Sequence, residues 1–246
     1  MDFTFSDYRK LLGTLQEKAF LPIRFCDTGD YSGRVAIIRH DVDMSPQKAV
    51  DIGSIESETG IKSTFFVLLS SRYYNLVSGE NREAVKELIR QGHEIGLHFD
   101  VTNYDEDYSL DELCDAIKRE RLLLESLFDI QVRSMSWHIP KRELIGVNIP
   151  ALDEIGLLNA YDPEFYNGYK YVSDSMMRWR EPIDEYLEKA AYEKMQILTH
   201  PIWYSFKQNK KDLEILKAHH FGEIKKDCIY LDAIRPGYKD ILELSE

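Results

Sequence analysis

The stretch RVAIIRHDVDMS, residues 34–45, decides the fold. Val35 to Ile38 form an unbroken apolar run that ends abruptly in charged residues. A short continuous run of this kind suits a strand covered on both faces, as in a parallel sheet flanked by helices. The next segment, SPQKAVDIGSIESETG (45–60), supplies Ser45 as an N-cap, Pro46 at the first helical position and Gly60 as a stop. Ala49, Ile52 and Ile55 give that helix an inner face. Strand, polar loop and helix follow one another within thirty residues.

The same plan recurs outward. STFFVLL (63–69) predicts a strand and REAVKELIR (82–90) a helix stopping at Gly92. EIGLH (94–98) predicts a third strand, and a long helix follows from about Ser109, whose capping box closes with Glu112. VRSMSWH (132–138) reads as a strand, IPALDEIGLLNAY (149–161) as a short helix and strand, and KYVSDS (170–175) as another strand. PIDEYLEKAAYEKM (182–195) predicts a helix, QILTH (196–200) a strand and KDLEILKAHH (211–220) the start of a terminal helix. This alternation implies an α/β fold with a parallel sheet, open or rolled into a barrel. No repeat, linker or low-complexity tract interrupts the chain, so one domain is expected over residues 1–246.

Composition narrows the partners. The chain has 43 acidic and 31 basic residues and a formal net charge of -12, a field that repels nucleic acid and anionic membranes. Cys26, Cys114 and Cys228 make neither an even disulfide framework nor a close-spaced zinc motif. The first residues, MDFTFSDYRKLLGTLQ, lack the basic end and apolar core of a secretory leader, and no run reaches the roughly 18 apolar residues of a membrane span. A cytoplasmic location and no membrane span are expected.

Polar chemistry collects at the strand ends: DVD after the first, HFD after the third, His138 and His200 at the ends of later ones. In parallel α/β folds those ends share one edge, where active sites are built. Asp41 and Asp43 point to one side of an extended chain, so one can hold a divalent ion while the other takes a proton; the alternative is an ordinary acidic turn. His40 faces away and suits packing, and His93, at the opposite edge, suits a structural role. His98 is a metal-ligand candidate, and a neutral imidazole can complete a site begun by Asp43. Asp100 shares its face if the chain stays extended. If the chain turns helical, Thr102 lies over His98, and a hydroxyl is a poor zinc ligand. His138 can ligate the metal, bind substrate or pack against Trp137. His200 can protonate a leaving amine or serve structure alone. In YVSDSMMRWRE (171–181), Asp174 can orient a histidine or arginine, while Arg178 or Arg180 can hold an anionic group. Trp137 joins these arginines as a candidate substrate contact. Tyrosines such as Tyr74, Tyr161, Tyr166, Tyr171 and Tyr204 suit an amphipathic sugar-binding rim or ordinary packing.

The order IIRHDVDMS, GHEIGLHFD, SMSWHIP and LTHP, spread over most of residues 34–204, resembles the NodB-like polysaccharide deacetylase superfamily, also described as carbohydrate esterase family 4-like. It looks closest to the branch found with surface-polysaccharide biosynthesis genes. The resemblance implies a distorted seven-stranded (β/α) barrel with a divalent metal, zinc first among the candidates, at its carboxyl edge. It also implies Asp41 as general base, Asp43 and His98 as metal ligands, His200 as general acid and Asp174 as its supporting carboxylate. Two departures stand out. Thr102 occupies the place of a second metal-binding histidine, leaving His138, Asp100 or Asn103 to complete the shell. No arginine stands clearly at the third motif, since Arg133 lies too early, and Arg178 or Arg180 can compensate. The implied function is metal-dependent removal of an N-acetyl group from a sugar or nucleotide-linked sugar. Two rivals remain at this level: a carbohydrate-binding or assembly protein on a decayed deacetylase scaffold, and an aspartate-nucleophile phosphatase built on DVDMS.

Overall fold

The apolar run at 35–38 does become the centre of a sheet. The computed structural model describes residues 1–105, 108–207 and 211–234. Helix α1 (Phe5–Glu17), capped by Thr4, leads into the short strand β1 (Phe20–Ile23) and then β2 (Arg34–Val42), buried along nearly its whole length. Ser45 caps α2 (Pro46–Glu58), which stops before Gly60 at φ +73°. The units β3 (Thr64–Leu68), α3 (Gly79–Arg90), β4 (Glu94–Asp100) and α4 (Leu110–Phe128) follow, the last opened by the Ser109–Glu112 capping box. The later elements are β5 (Ser134–His138), α5 (Pro150–Asp153), β6 (Leu158–Asn159), α6 (Pro163–Tyr166), β7 (Lys170–Ser173), α7 (Ile183–Glu188) and β8 (Lys194–Thr199). A last helix, α8 (Asp212–Ile234), belongs to a second unit.

All pairings are parallel, in the order β6-β5-β4-β3-β2-β8-β7, with β1 alongside the first half of β2. Seven strands thus form the curled path of a half-barrel, and β1 pairs with β2 off that path. Among the described residues β6 and β7 pair with no strand beyond β5 and β8, so a seam remains between them.

Each strand turns alternate residues inward. Ile95, Leu97 and Phe99 of β4 and Met135 and Trp137 of β5 are buried on one face, while Glu94, Gly96, His98, Ser134, Ser136 and His138 share the other. Gly96 is required there, since a Cβ would meet the ring of Phe66 and the Ser134 hydroxyl. Polar side chains fill the barrel floor: Glu94 accepts from Thr64 Oγ1 at 2.7 Å, Ser134 Oγ at 2.7 Å and the Cys26 N–H at 2.9 Å.

One expected boundary is adjusted. The helix expected over 182–195 ends at Glu188, because Ala190 turns into the left-handed region (φ +45°) and the Ala191 N–H bonds back to the Tyr186 carbonyl. Lys194 is then free to pair beside Val35 and begin β8. By contacts the described chain forms two compact units, residues 1–207 and 208–246. The sheet and all the strand-end motifs lie in the first; in the second, the described helix has no buried residue.

Candidate metal centre

Strand pairing brings three donors together at the carboxyl edge. His98 lies beside Ser136 in the β4–β5 register and Asp100 beside His138, so His138 stands one step above His98 on the inner face. Asp43, just beyond β2, completes the group. Its Oδ1 is 3.2 Å from His98 Nε2 and 3.3 Å from His138 Nδ1, and the two ring nitrogens are 3.2 Å apart.

The donor set fits a divalent ion. His98 Nδ1–H donates to the Ser136 carbonyl at 3.2 Å, which leaves its Nε2 with a lone pair aimed at the cluster. Asp43 Oδ1 is buried and has no hydrogen-bond partner. Two acceptors and a third nitrogen thus crowd together with at most one proton to share, an arrangement that a cation relieves. A tetrahedral shell with bonds of about 2.0–2.1 Å spaces its ligands about 3.3–3.4 Å apart, close to the separations found here. Burial opposes ionisation of Asp43, yet His138, His98 and His200 hold its carboxyl well below the ordinary range.

Beside the cluster stands Asp41, 3 % exposed, with Oδ2 3.7 Å from His98 Nε2. Its anchor is Arg39, two residues earlier on the same face and fully buried. One Arg39 nitrogen donates to Asp41 Oδ2 (2.8 Å), Ser136 Oγ (2.9 Å) and Tyr161 OH (3.1 Å), and the other to Gln196 Oε1 (3.1 Å). The rings of Tyr161 and Phe66 lie 4.8 and 5.5 Å from the guanidinium carbon. Gln196 in turn donates to the Ala160 and Phe165 carbonyls, tying β8 to the segment after β6. Asp41 Oδ1 remains buried and unpartnered.

His200 faces the cluster from β8, with Nε2 3.8 Å from Asp43 Oδ2. Its Nδ1 is 2.6 Å from Asp174 Oδ1, and its backbone N–H donates to the same carboxylate. Burial disfavours charge on the ring, but Asp174 outweighs that cost and lifts His200 to about 9. Burial also lifts the Asp174 carboxyl above its ordinary value, against the pull of His200. The short contact favours the charged pair, in which each group offsets the other's desolvation.

Asp41, Asp43, His98, His138, His200 and Asp174 therefore converge. The alternative ligands do not. Asp100 accepts from the Thr102 N–H and hydroxyl, and Asn103 donates to Ser70 Oγ, so both side chains are engaged outside the cluster. Trp137 is no substrate contact, because it is buried on the helix side of the sheet against Phe99. Arg178 and Arg180 are exposed on the loop after Asp174 and line small cavities there rather than touching Asp41. The arginine that does touch Asp41 is Arg39. Its sequence signal was the alternation in IIRHD, which puts Arg39 and Asp41 on one face; Ser136 and Gln196 gave no signal of their own. Tyr74, Tyr161 and Tyr204 are buried rather than rim residues. His40 and His93 are structural: His40 bonds Glu56 and Thr199 and stacks on Phe65, while His93 reaches Gly53 O and Ser63 N–H.

The curled parallel sheet and the Asp–His–His cluster at its carboxyl edge agree with the fold and metal site that the motif resemblance implies. No protein-family model matches the chain, and no curated protein does. Solved structures do match. One is a CE4 family pseudoenzyme from Bacillus anthracis, at 16% identity over 84% of this chain and 65% of that one, with a TM-score of 0.49. A second is the peptidoglycan deacetylase PdaC from Bacillus subtilis, at 17% identity over 84% of this chain and 100% of that one, with a TM-score of 0.45. A third is a family 4 carbohydrate esterase from Bacillus anthracis, at 13% identity over 87% of this chain and 86% of that one, with a TM-score of 0.46. The chain spans 65% of the length of the first. The expected cytoplasmic location is withdrawn; the solved structures that match include a peptidoglycan deacetylase. Composition and cysteine count carry no comparable information about compartment. Among the described residues no helix is long and apolar enough to cross a membrane.

Proposed function

We propose that the chain is a metal-dependent hydrolase that removes an N-acetyl group from a sugar in surface-polysaccharide biosynthesis. The observation that carries this reading is the placement of two different proton-handling groups around one donor cluster. Asp41 Oδ2 lies 3.7 Å from His98 Nε2 and His200 Nε2 lies 3.8 Å from Asp43 Oδ2, each group fixed by its own buried partner, Arg39 and Asp174. A divalent ion, with zinc proposed first, would be held by Asp43, His98 and His138 and would supply Lewis-acid polarisation of the carbonyl and a lowered pKa for water.

The chain's own groups then divide the work. Arg39 holds Asp41 Oδ2, leaving the unpartnered Oδ1 to take a proton from the attacking water. Asp174 accepts from His200 Nδ1–H and keeps Nε2–H directed toward the cluster. As the C–N bond breaks, that proton passes to the departing nitrogen, giving acetate and a free amine. The charged state of His200, favoured by Asp174, is the one a general acid needs.

The test is acetate release from N-acetylated sugars, read together with bound metal. Asp41→Asn and His200→Ala should each retain metal and lose activity by about 10²-fold or more. Full activity in both, at full metal occupancy, would sink the assignment. No acetate release from any acetylated glycan by the metal-loaded wild type would favour a carbohydrate-binding role on the same scaffold.

A further inference from the structure

The segment that carries Asp43 leaves the sheet at Val42, where β2 ends and its ladder with β3 stops at the Val42–Val67 pair. The next rung of a parallel ladder would be the Leu68 N–H on the Val42 carbonyl. A phenol stands there instead. The Tyr74 hydroxyl accepts from the Leu68 N–H at 2.8 Å and donates to the Val42 carbonyl at 2.6 Å, so it bridges the two strands where they part. The Tyr74 side chain is buried, and both of these bonds go to main chain.

The same loop also holds the main chain on the other side of Asp43. Ser71 Oγ donates to the Asp43 carbonyl at 3.2 Å and accepts from the Tyr73 N–H at 3.1 Å. A peptide unit is planar, so fixing the Val42 carbonyl fixes the plane that enters Asp43, and fixing the Asp43 carbonyl fixes the plane that leaves it. Between two fixed planes the direction of the Asp43 Cβ is set. The carboxylate needs that constraint: Oδ1 is buried without a hydrogen-bond partner, and it must meet His98 and His138, which other strands carry. His98 takes its orientation from a side-chain bond to the Ser136 carbonyl, whereas Asp43 takes its own through the backbone.

We infer that Tyr74 and Ser71 are positioning residues of the metal centre: from the loop after β3 they clamp the two peptide units flanking Asp43 and aim its carboxylate at the ion. The inference rests on the metal-centre reading and deepens it, since both residues act through the main chain of a ligand rather than on the ion. It gives the Tyr74 hydroxyl a role that the ring does not share, because phenylalanine would serve packing equally well.

Tyr74→Phe removes the bridge and keeps the ring. Zinc affinity, measured by competition with a chelating dye, should fall about tenfold, the usual consequence of losing a group that orients a metal ligand. Ser71→Ala, at a half-buried site, should weaken zinc binding about three- to tenfold. Tyr8→Phe is the control. It deletes a buried hydroxyl that donates to Glu56 at 2.6 Å, between α1 and α2, so it should lower the melting temperature. Its zinc affinity should stay within about twofold of the wild type. The visible spectrum of cobalt(II) bound in place of zinc reports ligand geometry and should change in Tyr74→Phe but not in Tyr8→Phe. Wild-type affinity and spectrum in Tyr74→Phe, or in Ser71→Ala should Tyr74→Phe not fold, would overturn the inference and leave the metal centre standing. A wild type that binds no divalent ion would overturn the metal-centre reading itself, and the inference with it.

Discussion

Replacing His138 by alanine tests the centre at its least expected member. In the structure its Nδ1 closes a triangle with Asp43 Oδ1 at 3.3 Å and His98 Nε2 at 3.2 Å. A four-ligand zinc site is worth about 10–16 kcal/mol, or about 2.5–4 kcal/mol for each ligand if shared evenly. Loss of one ligand should therefore weaken metal binding about 10²- to 10³-fold. The side chain is 20 % exposed, so water can refill its place, and the fold should survive the change. The assay is competition for zinc against a chelating dye, with circular dichroism melting as the control for folding. Asp100→Ala and Asn103→Ala provide the contrast, because those side chains are committed to Thr102 and Ser70. The reasoning fails if His138→Ala binds zinc within threefold of the wild type, or if Asp100→Ala weakens it as much.

Other consequences follow from the groups around the cluster. Arg39→Met removes the charge that faces buried Asp41 and should destabilise the protein by about 3–5 kcal/mol; urea titration should find the Arg39→Met/Asp41→Asn double variant less impaired. In the metal-free protein the raised pKa of His200 means its pairing with Asp174 stabilises the fold fully below about 6.5, a contribution lost as the pH rises through about 9. Asp174→Asn should flatten that decline in denaturation curves and move the His200 titration, followed by NMR, toward the ordinary imidazole range. Gly96→Ala drives a methyl group into the Phe66 ring and should cost about 1–3 kcal/mol, measured as a fall in the denaturation midpoint.

Much of the fold could be read locally. Caps at Ser45 and Ser109, the stop at Gly60 and the apolar run at 35–38 each fix an element through contacts within a few residues. The α7 boundary could not, because Ala190 adopts a left-handed conformation that alanine does not advertise, and the turn is imposed by the pairing of Lys194 beside Val35. Arg39 was visible as an inward residue but not as the partner of Asp41. Its acceptors include Ser136, Tyr161 and Gln196, from sites 97 to 157 residues away.

The sequence by itself determined which residues face which side of a strand and that those strands end in acids and histidines. These follow from the two-residue period of extended chain and the sharing of one edge by parallel strands. Which ligand completes the site was a different kind of question. His138, Asp100 and Asn103 were all near enough in pattern, and only the β4–β5 register, with Asp100 opposite His138 and the chain turning at Val101, chose among them. Register is a long-range property set by packing on both faces of the sheet, so His138 becomes a metal-ligand candidate through its neighbours in space rather than in the chain.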